Sequence, residues 1–205
     1  MTMLSKEEVL AEVEKLQYLY GLKHEIRYGD NRSEDTVTES VAEHIYGMHI
    51  LASYFLPLED PDGNWDREKI SNLITWHDIE EIETGDIIGY LKTDEDRERE
   101  SAARKVVIEK APVSIQPFIT NLLDEYETRE SIESQYVKAI DKMEPLCQIF
   151  NENGKKVLLV NGTTYNEHRR IKDPYVQNFP HIKHFTEVVG EEMRRQGFFT
   201  EEQSE

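Results

Sequence analysis

The sequence predicts an all-α protein, a bundle of six to seven helices with at most a short β-hairpin near residues 155–165. Three observations carry that expectation. Proline and glycine together are only 17 of 205 residues, so helix breakers are few. Apolar residues recur at helical spacing in several separate windows. Most of those windows open on a residue type that caps helices. Leu, Ile, Val and Phe number 52, enough for a packed core. The length suits one domain, residues 1–205, with a core over about 5–150 and residues 151–205 as an extension packed on it.

Each element follows from local chemistry. Ser5 and Glu8 form a capping-box pattern, and Val9, Val13, Leu16 and Tyr20 then mark one helix face up to Gly21. Residues 22–39 are polar and irregular. Ser40 and Glu43 repeat the capping box. The helix behind them turns Val41, Ile45, Met48, Leu51, Ala52 and Phe55 inward and is expected to stop before Pro57. Asp60-Pro61-Asp62-Gly63 is a turn. Asp66 is expected to cap a helix carrying Ile70, Leu73, Ile74 and Ile82 that runs to near Gly85. Asp94 is expected to cap a charged helix ending at Ala111, before Pro112, and Ser114 to cap the next, through Leu122 and Tyr126. Ser131 opens a helix with Tyr136, Val137, Ile140, Met143 and Cys147 on its apolar face. Val157 to Val160 lies between two Asn-Gly pairs and reads as a short strand or hairpin arm. Pro180 to Gln196 forms the last helix, ended by Gly197.

Charge excludes whole classes of partner. Lys and Arg number 24 against 42 Asp and Glu, a net charge of −18. A protein this acidic is not built to hold a nucleic-acid polymer, whose phosphates need cationic contacts, or to dock on an anionic membrane. The longest aliphatic run, Val157 to Val160, is far short of a membrane span. The start of the chain turns charged at once and carries no apolar signal core. Cys147 is the only cysteine, which leaves no internal disulfide and suits a reducing, cytoplasmic setting.

Several polar residues interrupt faces that should be apolar. His44 lies on the line of Met48, Leu51 and Phe55. His77 lies on the line of Ile70 and Ile74, with Asp78 directly after it, and Asp141 sits beside Ile140. A lone buried histidine is more often a hydrogen-bonded core residue than a ligand. A buried carboxylate is harder to excuse, because leaving it unpaired costs several kcal/mol. Two His and two Asp from three helices point to a divalent metal of the Zn, Mn, Co or Fe(II) type. With no thiolate, a closed structural zinc site is not expected, and four ligands leave open positions for water and substrate. Glu81, four residues after His77, is expected to share its helix face and to reach a metal-bound water rather than the metal. Asp86, after Gly85, has the look of an ordinary turn aspartate.

At these residues the chain resembles a known family. Glu39-Ser40-Val41-Ala42-Glu43-His44, Trp76-His77-Asp78-Ile79-Glu80-Glu81, Thr84-Gly85-Asp86-Ile87 and Ile140-Asp141-Lys142 resemble the HD-domain phosphohydrolases, most nearly the HD-type 5′-deoxynucleotidases. The segment from Asp124-Glu125-Tyr126-Glu127-Thr128 to Val137-Lys138 resembles the same group, so the likeness covers about residues 5 to 150.

The resemblance implies an HD-domain bundle holding one divalent metal ion per chain (Co, Mn, Zn, Fe, Ni or Mg) through His44, His77, Asp78 and Asp141. It implies that Glu81 and Asp86 serve catalysis and that an arginine upstream of His44 holds the phosphate. Arg27 is the first candidate for that arginine and Arg32 the second. Tyr28 is placed to stack on a base or line the sugar pocket, and Lys92 is a further cation for the substrate. The expected activity is hydrolysis of (deoxy)nucleoside 5′-monophosphates by a metal-activated water, in a homodimer. The rivals are hydrolysis of a deoxynucleoside triphosphate or alarmone, and a helical module that keeps its metal only for structure. Residues 79–140 contain no histidine, which favours one metal over two. On this expectation a negative protein repels its own substrate, so kcat/KM rises with modest salt as that repulsion is screened. Initial rates across a salt series check this, and a steep fall with salt would instead reveal a positive funnel.

Overall fold

The computed structural model describes residues 5–30, 38–87 and 92–201, with Gly29 and Asp30 described by their backbone alone. Among these residues the helical segments are α1 (Lys6–Leu19), α2 (Arg27–Asp30), α3 (Val41–Glu59), α4 (Arg67–Trp76), α5 (Glu81–Thr84) and α6 (Asp94–Lys110). They continue with α7 (Gln116–Thr128), α8 (Ile132–Ile149), α9 (Glu152–Val160), α10 (Tyr165–Val176) and α11 (Pro180–Arg195). The described residues contain isolated bridges but no sheet, so the all-α expectation holds.

α8 is the central strut, packed against α3, α4, α7, α9, α10 and α11. Its Tyr136, Ile140 and Met143 meet Met48 and Phe55 of α3 and Ile70 and Ile74 of α4 in the main core. Tyr136 is fully buried, and its hydroxyl finds the acceptor such a group needs, donating to the Ala52 carbonyl at 2.8 Å. A second cluster joins Leu19, Val41, Ile79, Val107, Ile119 and Leu123. A third joins Leu146 and Ile149 to Leu158, Met193 and Phe198, so the C-terminal helices bury apolar surface against the end of α8.

Both early capping boxes form, Ser5 with Glu8 and Ser40 with Glu43, and Asp66 and Ser131 cap their helices. Several expectations need correction. Val157 to Val160 is helix and not a strand: Asn151 caps α9 by accepting from the Gly154 N–H, and Val157 and Leu158 turn inward. A four-residue apolar run has no period of its own, so the neighbouring helices decide its form. α10 opens on a Thr164–Glu167 capping box in a stretch to which the sequence reading assigns no element. With these two helices, nine segments of nine residues or more lie among the described residues, beyond the six or seven expected.

α3 continues through Pro57 to Glu59, because a proline in the last turn forfeits one bond while Phe55 and Leu56 stay buried. Thr93, not Asp94, caps α6, through a box with Asp96. Ser114 caps nothing: Ile115 holds the N-cap position of α7 with no side-chain bond. The helix capped by Asp66 ends at Trp76 rather than near Gly85.

His168 of α10 is 3% exposed and packs its ring against Phe199, with Gly190 of α11 facing its Nε2. Burial, helped by Lys172 and Arg169, pushes its pKa from the usual 6.5 down to about 2. Between those two values the unfolded chain binds the extra proton. The contribution of this residue is therefore constant above pH 6.5, and stability falls as pH drops through the window, by up to about 1.4 kcal/mol per unit. His168→Gln is expected to flatten that slope, measured by urea denaturation at pH 7.5 and 5.5.

Candidate metal and phosphate site

The site forms where the first turn of α3, the end of α4 and the middle of α8 converge. The capping box of Ser40 fixes the start of α3 and so the height of His44, four residues on. Residues 77–80 leave the helix in tight turns, with Ile79 N–H donating to the Trp76 carbonyl and Glu81 N–H to the Asp78 carbonyl. His77, Asp78 and Glu81 therefore share a turn rather than one helix face, and Glu81 begins the one-turn α5. Gly85, at φ 69°, then reverses the chain toward Asp86, a conformation that suits glycine.

His44, His77 and Asp78 bring their potential ligand atoms within 4.8 Å of one another. Asp141 Oδ1 lies 3.6 Å from His44 Nε2, and Asp78 Oδ2 lies 2.9 Å from His77 Nε2. Neither contact is a hydrogen bond: the Nε2 atoms of both histidines are buried and have no hydrogen-bond partner among the described residues. Their other nitrogens are committed. His77 Nδ1–H donates to the Ile74 carbonyl at 2.9 Å, and His44 Nδ1–H donates to Glu144 Oε2 at 2.7 Å. With Nδ1 as the donor on each ring, Nε2 is the nitrogen that faces the carboxylates.

Two buried, unpartnered ring nitrogens beside two carboxylates would be costly in an apoprotein core. The residues present therefore fit a divalent cation. Burial works against the charge on Asp141, but Lys138 and Lys142, with His44 beside them, hold it well below the usual carboxylate range. Burial likewise opposes Asp78, and the neighbouring His77 outweighs it, so both aspartates remain ionised. Tyr126 donates its hydroxyl to Asp141 Oδ2 at 3.0 Å, on the side away from His44.

Arg27 is brought in by an antiparallel bridge, Ile26 to Ser40, in which Arg27 N–H donates to the Glu39 carbonyl and Val41 N–H to the Glu25 carbonyl. Its guanidinium meets Glu39 Oε1 at 2.6 Å, Asp86 Oδ1 at 3.6 Å and Glu144 Oε2 at 3.6 Å. Tyr28 has φ 64°, rare for an aromatic residue, and its N–H donates to Asp86 Oδ2 at 2.9 Å. Asp86 is thus the anchor of the Arg27–Tyr28 pair. Arg32 lies outside the described residues.

Burial, together with Asp78 and Asp86, raises the Glu81 carboxyl well above its ordinary range, and Glu81 Oε2 has no hydrogen-bond partner among the described residues. Burial and Asp78 bring Glu80 up to about 8. Lys92 sits at the mouth of the site in an ion pair with Glu100.

Two compartments meet at this centre. One, of about 350 Å³, opens over His77, Asp78, Glu81 and Lys92 and is ringed by Arg97, Arg104, Arg129 and Lys138. The other, of about 110 Å³, lies beyond Arg27, Tyr28, Asp86 and Asp141, and contains Lys142 and Lys172. Burial and Lys142 push Lys172 down to about 7.

The sequence did not single out Glu39 or Glu144 as functional. Glu144 carried a signal, since it lies three residues after Asp141 on a face that is otherwise buried and apolar. His181 and His184, three residues apart on α11, are both exposed.

An all-helical bundle that gathers His, a His-Asp pair and a distant Asp into one pocket defines a class, and the family model for the HD domain matches residues 19–183. The chain belongs to the HD domain family. It is 31% identical over 112 residues to 5'-deoxynucleotidase HDDC2 of Bos taurus, covering 54% of this chain and 52% of that protein. It is also 31% identical over 130 residues to 5'-deoxynucleotidase hdd1 of Schizosaccharomyces pombe, covering 58% of this chain and 63% of the relative. These matches span between about half and two thirds of the relatives' length.

A crystal structure from Magnetospirillum magnetotacticum MS-1, described as a predicted metal-dependent phosphohydrolase, superposes with a TM-score of 0.77 at 20% identity over 94% of this chain and 98% of that one. An HD-domain phosphohydrolase from Listeria innocua superposes at 0.56, also at 20% identity, over 90% and 85% of the two chains. At that identity these likenesses speak to the fold. No helix among the described residues is long and apolar enough to cross a membrane.

Proposed function

We propose that this chain is a divalent-metal-dependent phosphohydrolase that removes phosphate from (deoxy)nucleoside 5′-monophosphates. The observation that carries the reading is the pair of buried, unpartnered Nε2 atoms of His44 and His77 facing the carboxylates of Asp78 and Asp141. The names of the relatives, 5'-deoxynucleotidases, support the substrate class. His44, His77, Asp78 and Asp141 would hold one ion, of Co, Mn, Zn, Fe, Ni or Mg. When bound, such an ion supplies Lewis acidity that makes water a better nucleophile at neutral pH and offsets phosphate charge.

The chain's own residues do the rest. Arg27 binds the phosphate by exchanging part of its carboxylate company for phosphate oxygens, to which a planar guanidinium is suited. Asp86 orients Arg27 and the Tyr28 backbone. Glu81 keeps a proton on its buried carboxyl and delivers it to the leaving 5′-oxygen. The open compartment, about 350 Å³, falls within the range of small-molecule sites and takes the nucleoside, with Lys92 at its edge.

A second reading gains from the same compartment. Hydrolysis of a deoxynucleoside triphosphate or alarmone needs more cations than Arg27, Lys92 and Lys142, and Arg97, Arg104, Arg129 and Lys138 line that mouth. Several of these are already matched by acids, as Arg104 is by Asp124 and Lys138 by Asp141, which favours the monophosphate. We also propose, from composition and resemblance, a cytoplasmic homodimer in which residues 151–205 belong to the same domain as the site. Light scattering of the purified protein reads the oligomeric state.

The decisive assay gives chelator-stripped protein each divalent metal in turn and offers ribo- and deoxyribonucleoside mono- and triphosphates. Inorganic phosphate from monophosphates is expected; release of pyrophosphate or triphosphate would favour the second reading, and full turnover after exhaustive chelation would remove the metal from the mechanism. Asp141→Ala is expected to abolish turnover. Arg27→Ala is expected to raise KM by about 10- to 100-fold, the worth of a charged hydrogen bond; an unchanged KM would pass the phosphate role to Arg32. If Glu81 is the acid, kcat falls as pH rises past its elevated pKa, and Glu81→Gln loses that alkaline limb along with most of its rate.

A further inference from the structure

Glu144 belongs to no motif used above, yet it sits deeper in the site than some of the residues that do. Its side chain is 5% exposed. One turn separates it from Asp141 on α8, so the two carboxylates hold the His44 ring from opposite sides. Asp141 Oδ1 faces Nε2 at 3.6 Å, and Glu144 Oε2 accepts from Nδ1–H at 2.7 Å. The same Oε2 lies 3.6 Å from Arg27 Nη1, while Glu39 Oε1, 2.6 Å from that nitrogen, stands 3.8 Å from His44 Nδ1. One carboxylate oxygen therefore touches both the imidazole that would face the metal and the guanidinium that would face the phosphate.

The room for this carboxylate comes from α3. Gly47 lies three residues after His44 and faces α8. A Cβ built at Gly47 would lie 2.6 Å from Glu144 Oε1, closer than real Cβ contacts occur, and 3.2 Å from its carboxyl carbon, so the carboxylate would have to move. Gly47 has no positive φ that would require glycine, and a glycine inside a helix is otherwise unfavourable relative to alanine. The missing methyl is explained by the carboxylate that occupies its place.

We infer that Glu144, seated in the gap left by Gly47, is a positioning residue that fixes the tautomer and ring orientation of His44 and couples that histidine to Arg27. The inference rests on the metal-centre reading above. A carboxylate on the far nitrogen of a ligand histidine makes the imidazole a stronger donor and stops its ring from turning. With Glu144 removed, Nδ1–H has no acceptor at that distance and His44 is free to present the wrong tautomer.

The test is calorimetric titration of chelator-stripped protein with Mn²⁺, Co²⁺ and Zn²⁺, alongside the melting temperature of the stripped protein. Glu144→Gln keeps the shape and is expected to weaken metal binding on the order of 10- to 100-fold, with Glu144→Ala at least as severe. Excess metal is expected to restore most of kcat. Gly47→Ala should raise the metal dissociation constant in the wild-type background, because its methyl displaces the carboxylate. In the Glu144→Ala background Gly47→Ala should cost no further affinity, since the space is then vacant.

Unchanged metal affinity in Glu144→Gln would overturn the inference. So would a Gly47→Ala penalty of equal size with and without Glu144, because the glycine would then serve the helix and not the carboxylate. Failure of the wild-type protein to bind any of the three ions would instead overturn the metal-centre reading, and the inference with it. Binding by wild type with no effect of Glu144→Gln leaves that reading standing and removes only Glu144.

Discussion

The contact on which the site depends is the grip of one helical turn on one imidazole. α8 reaches His44 with Asp141 on one ring nitrogen and Glu144 on the other, while α3 carries the ring and leaves space for the grip at Gly47. Burying three such groups has a large desolvation cost, offset by the His44–Glu144 hydrogen bond and by Lys138, Lys142 and Tyr126 around Asp141. The main apolar core lies beside this contact, with Met48, Ile140 and Met143 close in sequence to the polar residues. The pairing of α3 with α8 is therefore both the centre of the fold and the frame of the chemistry. A shift of either helix would separate the ligands and open the core together.

Around that contact the charges are graded. Asp78 and Asp141 stay ionised, held by His77 and by Lys138 and Lys142 against the pull of burial. Glu80 and Glu81, a few residues away, are driven the other way by burial and by Asp78. Carboxyls in one pocket thus divide into ionised groups suited to a cation and protonated groups suited to giving up a proton, and environment rather than residue type makes the division. The net charge of −18 bears on this only weakly, because many of the acids lie on outer faces such as the start of α6.

Much of this was legible in the chain. His44, His77, Asp78 and Asp141 stood out because each interrupts an apolar face, and a buried carboxylate demands a partner. The capping boxes at Ser5 and Ser40 formed as written because they close within four residues and need nothing from the rest of the protein. Other features were not legible. The break after Trp76 depends on i to i+3 bonds in the His-Asp turn, while the apolar pattern runs on to Ile82. The helix over Val157 to Val160 depends on Met193 and Phe198, about forty residues away. Glu144 and Glu39 read as two more acids among forty-two until the fold brings them to Arg27 and His44.

The sequence by itself determined the helical class, an acidity that weighs against polyanionic partners, and the four residues that are candidate ligands. Composition, periodicity and the cost of a buried charge are local or summed properties, and they can be read without coordinates. Tertiary structure alone decided which nitrogen of His44 faces the site, that Asp86 anchors Arg27 and Tyr28, and that Gly47 exists as a gap for Glu144. Those are statements about directions and distances between segments up to a hundred residues apart, where a hydrogen bond at 2.7 Å and an unbonded approach at 3.6 Å have different consequences.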